Sequence, residues 1–106
     1  DYESILKKYV SRVNHVHCKD IRKEILDRSL SNDLSFRDSF LEGVFTVPGD
    51  GYINYKPLFE TLYDNKYSKW LIVEAEQDPK KANPLKYAKI GYKYLNKILT
   101  EVGYKI

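Results

Sequence analysis

The chain has 106 residues, 42% of them hydrophobic, which by size suits one small globular domain. A net charge of +3, with lysines interspersed among acids, gives little support for binding nucleic acid or a membrane surface. The single cysteine excludes an internal disulfide, and no apolar run approaches the roughly 18 residues of a membrane span. We therefore expect a reducing, cytoplasmic setting. The absence of methionine suggests a piece of a longer chain.

A helix and a short strand are predicted first. Apolar residues recur at helical spacing over residues 3–13, so this segment is predicted to form an amphipathic helix. Residues 15–19 are then predicted to form a strand. Its alternation places His15, His17 and Lys19 on one face and Cys18 on the other.

The middle of the chain is predicted to be helical and to contain one long loop. Two charged helical stretches, 21–30 and 35–41, form an insertion of the kind that often holds specificity. Pro48, Gly49 and Gly51 punctuate a predicted loop over residues 43–52. A further amphipathic helix is predicted over 55–62, with Pro57 in its first turn.

The second strand lies in the run that begins at Trp70 and ends in acidic residues. Glu74 and Glu76 share one face of it, and Leu71 and Val73 lie on the opposite face. A carboxylate in a largely apolar run costs several kcal/mol unless a partner or metal compensates it. The two polar strand ends are therefore predicted to be halves of one site.

Asn83 at the N-cap and Pro84 at the next position predict the start of a long final helix.

The order of elements predicts an α/β fold with two parallel strands and flanking helices. Such strands are expected to be buried on both faces. Two strands do not complete a sheet, but they match the last two units of a (β/α)8 barrel, whose functional residues lie at the C-terminal strand ends. An exposed strand edge and an unfilled barrel interior predict self-association or poor solubility if the piece is expressed alone.

Four strings resemble the C-terminal third of the inosose dehydratases, which belong to the xylose isomerase-like barrel superfamily. They are His-Val-His-Cys-Lys-Asp at 15–20, Gly-Val-Phe-Thr-Val-Pro-Gly-Asp-Gly at 43–51, Trp-Leu-Ile-Val-Glu-Ala-Glu-Gln-Asp-Pro at 70–79, and Ala-Asn-Pro-Leu-Lys-Tyr-Ala at 82–88. The resemblance covers nearly the whole chain. It implies that residues 1–106 are the C-terminal part of a single barrel domain.

The resemblance also implies a divalent metal, Mn²⁺ or Co²⁺, held by Glu, Asp, His and Glu. By motif position the histidine ligand is His17 and the last glutamate ligand is Glu74. The other two ligands would lie upstream of Asp1. Imidazole with carboxylates suits such an ion.

The implied reaction is the dehydration of 2-keto-myo-inositol, a polyol ketone, to a trihydroxycyclohexane-dione in inositol catabolism. Glu74 and Lys19 are the candidate catalytic residues. A sugar isomerase or epimerase of the same superfamily is an alternative, because it needs the same enediolate chemistry without loss of water. A noncatalytic fragment that binds no metal tightly is a third hypothesis.

The remaining candidate residues each have two interpretations. Lys19 either stabilises an oxyanion or lies along the surface. His15 either contacts substrate or a metal ligand, or simply packs. Glu76 either binds substrate hydroxyls or forms a loop salt bridge. Asp20 either caps the next helix or binds a hydroxyl, and capping is favoured. Cys18 is expected to be a small buried hydrophobe rather than a nucleophile, because it points away from His17.

Overall fold

The computed structural model describes residues 1–106 as five helices and four short strands. In chain order they are α1 (Tyr2–Tyr9), a 3₁₀ turn (Val10–Arg12), β1 (Val16–Cys18), β2 (Asp20–Ile21), α2 (Lys23–Ser31), α3 (Phe36–Glu42), β3 (Phe45–Thr46), α4 (Lys56–Asp64), β4 (Leu71–Val73) and α5 (Pro84–Val102). No helix combines the length and the apolar character that crossing a membrane requires.

The two predicted strands pair in parallel. In the register of β1 and β4, Val16 lies opposite Leu71 and Cys18 opposite Val73. The backbone N–H of Glu74 donates to the carbonyl of Cys18 at 3.0 Å, which continues the ladder beyond β4. The prediction of parallel strands joined through helices is confirmed, and both strands therefore end at the same edge.

A second, antiparallel pair was absent from the prediction. β2 pairs with β3, with Asp20 opposite Thr46 and Ile21 opposite Phe45. The backbone N–H of Arg22 extends the pair by donating to Val44 at 2.9 Å. The loop predicted over 43–52 thus contains a strand, and the helix predicted from residue 21 begins at Lys23. Two-residue strands are too short for alternation to reveal them.

The predicted start of the last helix is confirmed, and the inserted helix α3 is capped in the same way. The side chain of Ser35 accepts from the N–H of Asp38 and caps α3, and that of Asn83 accepts from Lys86 and caps α5. α3 ends at Gly43, whose φ of 90° is the left-handed conformation that glycine adopts without a steric cost.

The core lies on one side of the β1–β4 sheet. Phe59 and Leu62 of α4 pack there with Leu95 and Leu99 of α5, and Cys18 projects from β1 into the same cluster. The Cys18 side chain is fully buried, as predicted for the face away from His17. The helices α4 and α5 thus cover a single face of the sheet, and α1 packs against α4.

The expectation that both strands are buried on both faces is wrong for these residues. His17 is exposed and every residue of β4 is only half-buried. The physical reason is that all the helices that pack on this sheet lie on the Cys18 side, so the face that carries His17 has no layer over it. The polar strand ends lie on that open face.

Candidate functional site

Four side chains meet on the open face, where β1 and β4 end. We call His17, Lys19, Glu74 and Glu76 the strand-end cluster. His17 Nδ1 lies 2.6 Å from Glu74 Oε2. Lys19 Nζ lies 3.1 Å from Glu74 Oε1 and 3.3 Å from Glu76 Oε1. Glu74 therefore contacts both an imidazole and an ammonium, one through each carboxylate oxygen.

The register of the two strands produces this convergence. Because side chains alternate along a strand, His17 and Lys19 project from one face of the segment that begins with β1, and Glu74 and Glu76 from the same face of the segment after β4. His17 lies opposite Ile72, so Glu74 is two residues further along and comes level with Lys19. A shift of one residue in the register would move one pair to the opposite face.

The charged groups of the cluster shift one another's pKa values so that each favours the charged form of its partner. The hydrogen bonds of Glu74 with His17 and then Lys19 lower the pKa of that carboxyl below its ordinary value of 4.5. Partial burial lowers the pKa of Lys19, but its bonds to Glu74 and Glu76 outweigh this and raise it above 10.5. At neutral pH the cluster therefore holds an ionised Glu74 beside a protonated Lys19.

His17 and Glu74 supply the donor types of half a metal site. His17 Nδ1 and Glu74 Oε2 lie 2.6 Å apart and share a hydrogen bond, so an ion would have to displace that proton and separate the two atoms to about 3 Å, the spacing of two donors bound at right angles, each about 2.1 Å from one ion. Lys19 already places a positive charge between the two carboxylates. No group of three His, Cys, Asp or Glu side chains is close enough to hold an ion, so these residues provide two donors only.

His15 lies beside the cluster rather than in it. Its exposed ring packs against the ring of His17, with centroids 5.2 Å apart and planes tilted by 57°. It makes no hydrogen bond within the chain and remains accessible. Both predicted roles of His15, as a contact of substrate or of a metal ligand and as a packing residue, stay predictions.

Asp20 does not cap α2, and that favoured prediction is wrong. The N-cap of α2 is Arg22, without a side-chain cap. Asp20 is instead fully buried, and its Oδ1 accepts from the N–H groups of Ile21 at 2.8 Å and Ile53 at 3.0 Å. Asp20 thus fixes the loop after β3 to β2, and it presents no surface to a hydroxyl. Its Oδ2 is buried without a hydrogen-bond partner.

Cys18 has no role at the open face. Burial raises the pKa of its thiol from 9.0 to about 12, so it carries no nucleophilic thiolate at neutral pH. The interpretation of Cys18 as a small buried hydrophobe is consistent with this environment.

A polar network around Arg22 was missed by sequence reasoning. The Arg22 guanidinium donates to the Gly43 carbonyl at 2.8 Å and to Asp50 Oδ2 at 2.6 Å, and Thr46 also donates to Asp50. Gln77 reaches Thr46 at 3.4 Å. The loops that follow β3 and β4 are thereby joined. An arginine two residues after a strand-ending aspartate was the only available signal, and it did not reveal partners more than 20 positions away.

An aromatic side chain beside the cluster was also missed. Lys19 Nζ lies 5.2 Å from the centroid of the Phe45 ring, in a cation–π arrangement. Phe45 belongs to β3, which had been predicted as loop. The β2–β3 pair therefore places a ring next to the ammonium that bridges Glu74 and Glu76.

These features agree with the comparison against protein families. The profile of the xylose isomerase-like TIM barrel matches residues 1–98. The chain belongs to this family. The predicted fold class, part of a (β/α)8 barrel with its polar residues at the C-terminal strand ends, is confirmed.

The resemblance to inosose dehydratases is also confirmed by curated relatives that are about three times as long as this chain. An inosose dehydratase of Bacillus velezensis is 50% identical over 101 residues, which are 95% of this chain and 34% of the relative. One of Mesomycoplasma hyopneumoniae strain 7448 is 53% identical over 96 residues, 90% of this chain and 32% of the relative. The rhizopine catabolism protein MocC of Rhizobium meliloti is 43% identical over 106 residues, 100% of this chain and 33% of the relative. The chain spans about a third of the length of these relatives.

Proposed function

We propose that these residues form the C-terminal part of the active site of an inosose dehydratase, a carbon–oxygen lyase that acts on 2-keto-myo-inositol. The proposal is carried by the contact of His17 with Glu74 across two parallel strand ends, 2.6 Å apart, in a chain about half identical to inosose dehydratases. The remainder of the site would come from residues outside these 106, within one barrel domain.

The cluster residues have distinct roles in the proposed reaction. The proton next to the substrate carbonyl passes from carbon to Glu74, which is ionised and open to solvent. The Lys19 ammonium donates a hydrogen bond to the oxygen on which negative charge develops. The bond from the neighbouring carbon to its hydroxyl then breaks, and the hydroxyl takes a proton from Lys19 and leaves as water. Lys19 recovers a proton from Glu74, 3.1 Å away, and the enol that remains tautomerises to the dione.

A divalent ion, Mn²⁺ or Co²⁺, would be held by His17 and Glu74 together with donors from outside this chain. When bound it would supply a Lewis acid that polarises the ketone. His17 and Glu74 already lie within contact of each other, and His15 supports the imidazole by packing against it. Glu76, exposed at the edge of the cluster, is placed to accept hydrogen bonds from substrate hydroxyls.

Replacement of Glu74 in a polypeptide that carries the complete barrel tests the proposal. Glu74→Gln keeps the size of the side chain and removes its charge, so turnover of 2-keto-myo-inositol should fall by at least about a hundredfold and bound Mn²⁺ should decrease. The control is Glu101→Gln on α5, an exposed carboxylate that pairs only with Lys97 at 3.9 Å. Turnover and metal content that survive Glu74→Gln would contradict the proposal.

An isomerase or epimerase of the same family is the second candidate, favoured by the same enediolate chemistry at Lys19 and Glu74. The two activities differ in whether water leaves. Parallel assays of the complete barrel with 2-keto-myo-inositol and with ketohexoses separate them, because only the dehydratase forms a dione from the cyclic ketone.

The isolated 106-residue chain is proposed to be inactive and to bind metal weakly, because two donors leave most of the coordination sphere to water. Elemental analysis after equilibration with Mn²⁺ should find well below one ion per chain. A stoichiometric content would instead require that copies combine their His17 and Glu74 donors.

A further inference from the structure

Two phenylalanine rings border the strand-end cluster on the side of the β2–β3 pair. Phe45 lies beneath the Lys19 ammonium, 5.2 Å from nitrogen to ring centroid. Phe36, in the first turn of α3, packs against Phe45 with centroids 5.7 Å apart and planes tilted by 48°. The rings thus extend outward from the ammonium that bridges Glu74 and Glu76. We call them the aromatic wall.

The outer ring of the wall is unusually exposed for its size. Phe36 is 71% exposed, although Phe45 beside it is half-buried. Phe36 is therefore held by a ring that itself contacts the cluster, and one of its sides remains open. Small-molecule sites combine apolar and aromatic side chains with a few convergent polar groups, and the wall and the strand-end cluster together supply both.

A cyclic polyol has the complementary shape. When its hydroxyls are equatorial, a cyclohexane ring presents C–H bonds on both faces and oxygens around its rim. The electron-rich face of an aromatic ring attracts the positive edge of C–H bonds, and the charged cluster binds the oxygens of the rim. A linear polyol has the same oxygens but no flat apolar face.

We propose that Phe36 and Phe45 form a stacking wall that selects a cyclic polyol over an open-chain one at the strand-end cluster. The inference deepens the proposed function and rests on the same site. Phe36 is a specificity-determining residue in it, and it belongs to the helical insertion between the two barrel strands. Phe45 holds Phe36 in position and touches Lys19.

Binding of two unreactive ligands to the polypeptide with the complete barrel tests the wall without requiring turnover. The probes are scyllo-inositol, a cyclohexane polyol without a keto group, and glucitol, its open-chain counterpart. We expect Phe36→Leu to raise the Kd of scyllo-inositol about three- to tenfold, which is the loss of one aromatic stacking contact, and to change the Kd of glucitol less than about twofold. Phe36→Tyr keeps the ring and should keep the wild-type Kd.

The control is Tyr2→Leu, an aromatic residue on α1 that is 45% exposed and lies outside the wall. It should change neither Kd. Phe45→Leu provides a second variant, and it should weaken scyllo-inositol binding in the same direction as Phe36→Leu.

Each other outcome has a definite meaning. If the Kd of scyllo-inositol is unchanged in Phe36→Leu, with or without a lower Tm, the proposed stacking role is wrong and Phe36 is a packing residue. Equal weakening of both ligands, or no binding of scyllo-inositol by the wild type, would also overturn it. Selective ring binding without turnover of 2-keto-myo-inositol would support the wall and contradict the dehydratase.

Discussion

Glu74 is the residue in which the interactions of the candidate site converge. Each of its carboxylate oxygens has a different partner, the His17 ring at 2.6 Å and the Lys19 ammonium at 3.1 Å. The side chain is about a third exposed, so solvent screens these pairs and their effect on overall stability is small. Their main consequence is the protonation state of the cluster.

The pKa of Glu74 is predicted to depend on both partners. Because His17 and Lys19 lower it below 4.5, His17→Gln and Lys19→Met should each raise it toward 4.5. NMR titration of the Glu74 carboxyl carbon measures the change. Lys105→Met, remote in sequence at the C-terminal end, is the control and should leave the titration as it is in the wild type.

The same shift fixes the sign of a pH effect on stability. A lowered pKa means that the folded state binds the proton less tightly than the unfolded chain does. The contribution of Glu74 to the free energy of unfolding is therefore fully present above about pH 4.5, and it is lost as the pH falls through the folded-state pKa. Glu74→Gln should therefore be slightly less stable than the wild type in urea unfolding at pH 7, and this small difference should shrink at pH 3. An equal difference at both values would contradict the assignment.

Gly51 is predicted to tolerate no side chain. A Cβ there would overlap Asp20 Oδ1 and come within 2.7 Å of the Ile21 carbonyl. Because Asp20 is fully buried and holds two backbone N–H groups, it cannot move aside without leaving them unpaired. Gly51→Ala should lower the free energy of unfolding by about 2 to 3 kcal/mol. Ser68→Ala, on an exposed turn, should change it by less than about 0.5 kcal/mol in the same denaturant titration.

Among the elements, the close packing of α5 on β4 positions the second strand end. Gly91 faces the sheet, and a Cβ there would lie 2.6 Å from Val73 Cγ1 and 3.2 Å from Val47 Cβ. Glycine therefore lets the helix backbone approach the strand that leads directly to Glu74. Glycine also lowers the stability of the helix, because its helix propensity is about 1 kcal/mol less favourable than that of alanine in an exposed position.

Gly91→Ala distinguishes close approach from helix propensity. If packing dominates, the substitution should lower the free energy of unfolding by about 1 to 3 kcal/mol in spite of the better propensity. Lys89→Ala on the exposed side of α5 is the matched control and should be nearly neutral. Thermal unfolding followed by circular dichroism measures both, and a more stable Gly91→Ala would show that the helix has room to move.

At the level of the whole molecule, a two-stranded parallel sheet leaves two edges without partners. β1 pairs only with β4, and β4 only with β1. Beside β4, Trp70, Tyr92 and Ile106 line an apolar groove of about 450 Å³ and are 72%, 62% and 71% exposed. Open edges and apolar grooves of this kind pair readily with further strands and helices.

The isolated 106-residue chain is accordingly predicted to self-associate. Its average mass in analytical ultracentrifugation should rise with concentration over the micromolar range. Trp70→Lys together with Ile106→Lys places charge in the groove and should shift the distribution toward monomer, whereas Lys86→Glu on the exposed side of α5 should not. A monomer at all concentrations would show that the edges are protected within the chain.

The sequence by itself determined the parts of the protein that depend on local pattern. The cap at Asn83 and the proline after it were sufficient for the start of α5, and the stretch predicted over 35–41 nearly coincides with α3. Alternation was sufficient to place His17 and Lys19 on the face opposite Cys18, because side-chain direction in a strand follows directly from residue number. Motif strings were sufficient for the family.

Only the tertiary structure decided what depends on contacts between distant residues. The β2–β3 pair forms because Asp20 and Ile21 meet Thr46 and Phe45 more than 20 positions later, and two-residue strands carry no periodic signal. Asp20 became a buried loop anchor rather than a helix cap for the same reason, since its partner Ile53 is 33 positions away. The aromatic wall and the Arg22 network likewise depend on this pairing, which brings the inserted segment back to the end of β1.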